Sequence, residues 1–205
     1  MQDETKGCHR MTDRMGRPRT GGARLRLLAG LALALSGLAA CSSAGPPLPL
    51  ASNVDLPRYA GHWFIIANIP YFAERGYVGS SFDVSFPGGE VLDIYTGFDK
   101  DFSAKPSRFT LHGYVVPDTG NARWRESPFW PLYFSYLILY VDPDYQTALV
   151  GYPGRGYGWV LSRAATMDEA TYRGLLDRFG ALGYDTTQFR RVPQSPDQIG
   201  QPGFQ

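Results

Sequence analysis

From Val54 onward the chain breaks into eight short runs rich in β-branched and aromatic residues, each bounded by Gly, Pro, Asp or Asn. No other feature constrains the fold so tightly. The runs cover residues 62–69, 77–86, 90–98, 108–116, 122–127, 133–141, 146–152 and 157–162. Short punctuators such as Pro87-Gly88-Gly89, Asp142-Pro143-Asp144 and Pro153-Gly154-Arg155-Gly156 separate them, so neighbouring runs pair antiparallel. No helical pattern lies between strands, which excludes a parallel sheet with crossover helices. The 24 Gly, 16 Pro, 13 Tyr and 12 Phe of the 205 residues suit such a turn-rich β protein.

Eight antiparallel strands in sequence close into an up-and-down barrel, because closure removes both edges. A barrel of that size is either filled by side chains or holds one small ligand. One amphipathic helix follows the strands. Thr166 and Glu169 have capping-box spacing, Tyr172, Leu175, Leu176, Phe179 and Leu182 form its apolar stripe, and Gly183 ends it. The expected fold is therefore all-β, with this C-terminal α-helix packed outside the barrel. Residues 193–205, polar and Pro-rich, read as a disordered tail. Parity adds a spatial expectation. The first strand begins and the last strand ends at one rim, where the turn between strands six and seven also lies. Gly61, Trp63, Asp142, Asp144, Tyr145 and Arg163 should cluster there as a plug, with the guanidinium over the indole face.

The N-terminal forty residues read differently. They carry seven of the 20 Lys and Arg but three of the 19 Asp and Glu, a net +4, whereas the remainder is −3. Arg17, Arg19, Arg24 and Arg26 precede an apolar run over residues 27–40, the pattern of an export signal and too short to span a bilayer. Met11 and Met15 are alternative starts. Leu38-Ala39-Ala40-Cys41 resembles the lipobox of bacterial lipoproteins, which implies a diacylglyceryl thioether and an acylated amine on Cys41. Ser42 at the next position implies sorting to the outer membrane. Cys8 is the other Cys, and it lies in the leader, so no disulfide is expected in the exported chain. Residues 41–53 read as a lipidated N-terminus and Pro-rich tether that packs no core, and residues 54–192 as the domain.

Four segments then resemble one family in order and spacing: Asp55-Leu56-Pro57-Arg58-Tyr59-Ala60-Gly61-His62-Trp63, Phe72-Ala73-Glu74-Arg75-Gly76, Asp142-Pro143-Asp144-Tyr145 and Trp159-Val160-Leu161-Ser162-Arg163. They look like the conserved regions of lipocalins, and most of all like the bacterial outer-membrane lipocalins related to apolipoprotein D. The resemblance implies a calyx closed at the Trp63/Arg163 end and open at the other. It also implies carriage or storage of fatty acids, lysophospholipids or similar small amphiphiles by a periplasm-facing, lipid-anchored protein, and it leaves room for a homodimer. Residues 123–131 depart from that pattern in being bulkier and more charged.

Strand alternation supplies candidate ligand contacts: Ile65 and Ala67; Phe82, Val84 and Phe86; Leu111, Gly113 and Val115; Trp124 and Glu126; Tyr136, Ile138 and Tyr140. The loop carrying Phe72 and Arg75 should fold over the mouth. Arg75 there either meets a carboxylate or phosphate headgroup or pairs with Glu74. Burial of a C16 chain is worth about 12 kcal/mol gross, before the losses of association.

Other function classes fare worse. A mildly acidic body with scattered Arg offers no footprint for nucleic acid. There is no H-E-x-x-H, no G-x-S-x-G and no phosphate-binding Gly loop, and the spacings of His62 and His112 suggest no metal site and no cofactor. Asp142 and Asp144 read as turn chemistry. Two alternatives to a carrier stay open. One is a calyx enzyme using Glu126 or His112; the other is a structural envelope lipoprotein with a filled barrel.

Overall fold

The computed structural model describes residues 45–205. The leader and Cys41 lie outside the described residues. Eight antiparallel strands form the wall: β1 (Gly61–Asn68), β2 (Tyr77–Ser85), β3 (Glu90–Asp99), β4 (Pro106–Val115), β5 (Arg123–Phe129), β6 (Leu132–Val141), β7 (Thr147–Gly151) and β8 (Gly158–Ser162). Each pairs with the next, and β1 closes the barrel by pairing with both β2 and β8. The turn chemistry read from the sequence thus sets an all-next-neighbour topology, and closure follows from it.

A ninth strand, β9 (Arg190–Arg191), was not expected. β2 leaves β1 after the Phe64–Ser81 pair, and β9 takes over that edge through Ala67–Arg191 and Asn68–Arg190. The following residues sew up the gap. Gly79 N donates to Pro193 O (2.7 Å), while the Gln194 amide donates to Ile65 O on β1 (2.8 Å) and Ser80 O on β2 (3.1 Å). Further on, Gln205 N donates to Arg191 O (2.9 Å). Residues 193–205 are therefore folded against the wall, not disordered. Their polar composition serves backbone groups that β2 leaves unpaired at the seam.

Helix α1 (Leu56–Tyr59) precedes β1 and α2 (Glu169–Ala181) follows β8. Asp168 caps α2 by accepting from Thr171 N (2.9 Å), so the expected Thr166/Glu169 box is displaced by two residues. Gly183 has φ +84, the left-handed conformation expected of it at the helix end. Tyr172, Leu175 and Phe179 of α2 bury themselves on Ile66, Leu137, Leu139, Leu149 and Val160 of the outer wall. Each such side chain contributes about 1.5–3 kcal/mol. The apolar outer faces of β6 and β7 thus find their cover.

The tether is also part of the fold. Arg155, in the β7–β8 hairpin, donates to Pro46 O (2.8 Å); Leu48 is buried beside α2; Ala51 N donates to Ile138 O (2.9 Å) and Val54 N to Gly120 O (2.8 Å). The segment runs down the outer wall from one rim to the other. Its Leu residues were read as part of a solvated linker because Pro and Ser surround them.

Candidate functional site: the barrel lumen

The closed end is built first from α1. Asp55 caps it by accepting from Arg58 N (3.2 Å), and it swings Tyr59 beneath the barrel floor. Trp63, the third residue of β1, donates its indole N–H back to Tyr59 O (2.8 Å). Arg163 lies with its Cζ 3.7 Å above the Trp63 ring. Its Nη1 donates to His62 O (2.7 Å), its Nη2 to Arg58, Tyr59 and Ala60 O (2.8, 3.0 and 2.9 Å), and its Nε to Tyr145 O (3.3 Å). These acceptors are all carbonyls. Asp142 turns elsewhere, accepting from Asp144 N (2.9 Å) and from the Thr147 hydroxyl (2.8 Å) and amide. Those bonds hold the Asp142 carboxyl below its usual range despite some burial. Asp144 is exposed, and Tyr145 caps α1 from outside by accepting from Asp55 N at its hydroxyl (2.8 Å). Gly61 adopts φ +100, a backbone conformation that L side chains rarely take, and this favours Gly here; a Cβ would meet Arg163 Nη1 only at ordinary contact distance (3.4 Å).

Above this plug the lower lumen is packed with rings. Trp124 stacks on Tyr136 (centroids 4.6 Å, planes 5° apart), and Tyr59 meets Trp124 edge-on at 5.4 Å. Ile65, Phe82, Val84 and Ile138 complete a cluster that excludes solvent, with Phe86 and Val115 half-buried at its edge. Glu126 and Asp93 are also here. Both Asp93 oxygens and Glu126 Oε1 have no hydrogen-bond partner. Burial drives both carboxyls well above their ordinary range; the charges of Asp83 and Glu74 add to this at Asp93, and the charge of Asp93 does so at Glu126.

The upper lumen differs. Phe109 lies opposite Tyr95 and Phe134 opposite Glu126, so both face inward, yet Phe109 is 45% exposed and Phe134 41%. Inward-facing rings that meet solvent mark an open mouth. Leu111, opposite Asp93, lines the same wall, as does Gly113, opposite Glu126. Two hydroxyl pairs lie here, Tyr95 OH with Ser80 Oγ (2.9 Å) and Tyr77 OH with Ser107 Oγ (3.2 Å). The β1–β2 loop turns back and sends Glu74 inside, where it accepts from Asn68 Nδ2 (2.6 Å) and Trp159 Nε1 (3.1 Å). Glu74 is 3% exposed, and burial outweighs those two bonds to push its carboxyl up to about 7.

Two expected lumen residues are not in it. Ala67 and Tyr140 sit on the outer wall, Tyr140 beneath the Arg178 guanidinium at 4.2 Å. Each follows a bulge, between Ile65 and Ala67 in β1 and between Ile138 and Tyr140 in β6. One extra residue on a strand reverses the faces of those beyond it. Phe72 projects from the β1–β2 loop and is 90% exposed. Arg75 is exposed too and does not pair with Glu74, whose partners are Asn68 and Trp159. His112 faces outward, opposite Leu92 on the face away from Asp93. Sequence reading left Asp93, Asn68 and Tyr95 out of the site and placed Glu74 and Trp159 only within the family-like segments; the alternation Val91-Asp93-Tyr95 in β3 is a signal that the apolar pair Leu92 and Ile94 masks.

An eight-stranded cup with a Trp–Arg plug, an aromatic floor and one open mouth defines a calyx protein. Residues 54–194 match the lipocalin-like domain, and the chain belongs to that family. It is 31% identical to outer membrane lipoprotein Blc of Escherichia coli K12, over 83% of this chain and 98% of the relative. With temperature-induced lipocalin-1 of Arabidopsis thaliana it shares 29% identity over 72% of this chain and 83% of that one. Insecticyanin from Manduca sexta has a similar fold (TM-score 0.60, 15% identity, 77% of this chain and 89% of that one).

Proposed function

We propose that this protein is an envelope lipocalin, anchored to the outer membrane through acylated Cys41, that holds and carries a small amphiphile. The carrying observation is the pair Phe109 and Phe134, inward-facing and wet above a dry aromatic floor. Such a cup offers an apolar wall to an alkyl chain and leaves a polar head at the mouth. Fatty acids and lysophospholipids are the ligand class that the family resemblance supports, and the floor of Trp124 and Tyr136 limits how deep a chain reaches. The basic-then-apolar leader, the L-A-A-C at its end and the outer membrane lipoproteins among the relatives support the anchor and the compartment.

A carrier reading is also favoured over catalysis. The outward His112 leaves Glu126 as the one enzyme candidate of the two named from sequence, and the charge that acts on it is that of another carboxyl, Asp93. Native mass spectrometry of the chain from Ser42, followed by titration with palmitate and lysophosphatidylcholine, tests the proposal. One amphiphile per chain is expected, bound at least tenfold more weakly by Phe134→Asp. No co-purified lipid and no saturable uptake would overturn it and favour a filled structural barrel. Turnover of a bound lipid that Glu126→Gln abolishes would favour the enzyme.

A further inference from the structure

We infer that the open rim is a docking surface for a lipid leaflet, so that the lumen mouth faces the membrane that holds Cys41. The inference rests on the anchoring proposed above. Two of the four open-end loops carry apolar, wet tips. Phe72 in the β1–β2 loop is 90% exposed, and Phe129 and Trp130 in the β5–β6 hairpin are 66% and 81% exposed. Among the described residues, the closed-end turns at 86–89, 116–122 and 142–146 carry no exposed large apolar side chain. A soluble surface rarely concentrates such groups at one pole, and Trp in particular settles at the headgroup level of a bilayer. Arg75, Lys100 and Lys105 are exposed on the same rim, against Asp99 and Asp101. Anionic headgroups therefore fit this pole.

The path of the chain gives the second argument. Gly45 and Pro46 lie against the Arg155 guanidinium of the β7–β8 hairpin, with Arg155 Nη2 donating to Pro46 O (2.8 Å). Tyr157 of that hairpin packs on Tyr71 of the β1–β2 loop (5.7 Å), so the chain enters the barrel at the open rim. Gly45 is four Cα–Cα steps from Cys41, a reach of at most about 14 Å. The closed end lies a strand length further on, roughly 25 Å for eight residues. An acyl anchor at Cys41 therefore keeps the mouth, not the plug, beside the leaflet. A chain leaving the leaflet then reaches Phe109 and Phe134 without crossing bulk water.

The test couples the chain from Cys41, its only Cys after the leader, to a maleimide lipid in vesicles of phosphatidylethanolamine and phosphatidylglycerol (3:1). Coupling replaces acylation, so the result is independent of whether the cell acylates Cys41, which the mass of the exported protein decides. Trp63 and Trp124 are fully buried and Trp159 is half-buried, leaving Trp130 to report the rim. With dibrominated acyl chains, at least twofold quenching of the Trp130 component is expected, and none of it in Trp130→Phe. An unquenched Trp130 on coupled protein overturns the inference. So does sedimentation showing that a second copy covers the tips instead.

Discussion

Tyr59 and Tyr136 share a hydrogen bond of 2.8 Å between their hydroxyls, 77 residues apart in sequence and buried in the barrel floor. The bond ties the entry helix to the strand across the lumen and lets two phenols enter a dry interior. Burial raises both phenols far above their usual range, so both stay protonated.

Tyr59→Phe and Tyr136→Phe should each destabilise the protein by about 1–2 kcal/mol, since each leaves one buried hydroxyl without a partner. The double variant should lose less than the sum. Urea unfolding in a double-mutant cycle measures this; strict additivity would show the bond to be idle.

Arg163→Lys should cost about 2–4 kcal/mol although it keeps the charge, because an ammonium cannot lie flat on Trp63 while serving carbonyls on both α1 and β6–β7. Thermal denaturation followed by near-ultraviolet circular dichroism would register both the lower midpoint and the altered Trp63 signal.

Stability should fall as pH rises from about 4.5 through 7 and beyond. Glu74, Asp93 and Glu126 all have raised folded-state values, so their contribution is full below the unfolded carboxylate range and lost as they ionise. For Glu74 alone, with its value near 7, the loss approaches roughly 3 kcal/mol at alkaline pH. Asp93→Asn should flatten the profile and raise stability at pH 8. Urea midpoints at pH 5, 6.5 and 8 decide it, and a profile rising with pH would contradict this account.

Gln194→Ala removes the amide that bridges Ile65 O and Ser80 O. Its cost should be about 1–2 kcal/mol. Amide exchange should quicken at the β1–β2 seam more than at β3–β4, and equal quickening everywhere would argue that the bridge has no local role.

Strand positions were legible because turn residues recur at every link and each run is β-rich. The meeting of Trp63, Tyr145 and Arg163 followed from counting strands, a property of closed topology and not of local composition. Facing was harder. Ile65-Ile66-Ala67 and Ile138-Leu139-Tyr140 are apolar throughout, so nothing in the letters marks where a bulge reverses the pleat. Asp93 was hidden for the opposite reason: Leu92 and Ile94 look like the better core pair, yet they face out. The tether and tail misled through composition, since Pro, Ser and Gln can satisfy strand edges as readily as they can form a solvated linker.

The handover of the β1 edge from β2 to β9 has a bearing on how the molecule matures. Gln194 reaches a carbonyl 129 positions earlier in the chain, so the wall cannot be zipped until nearly the whole domain is present. Assembly dominated by such remote pairings is slow. A polypeptide made this way stays pliant until its last residues are in place, and only then becomes a rigid vessel.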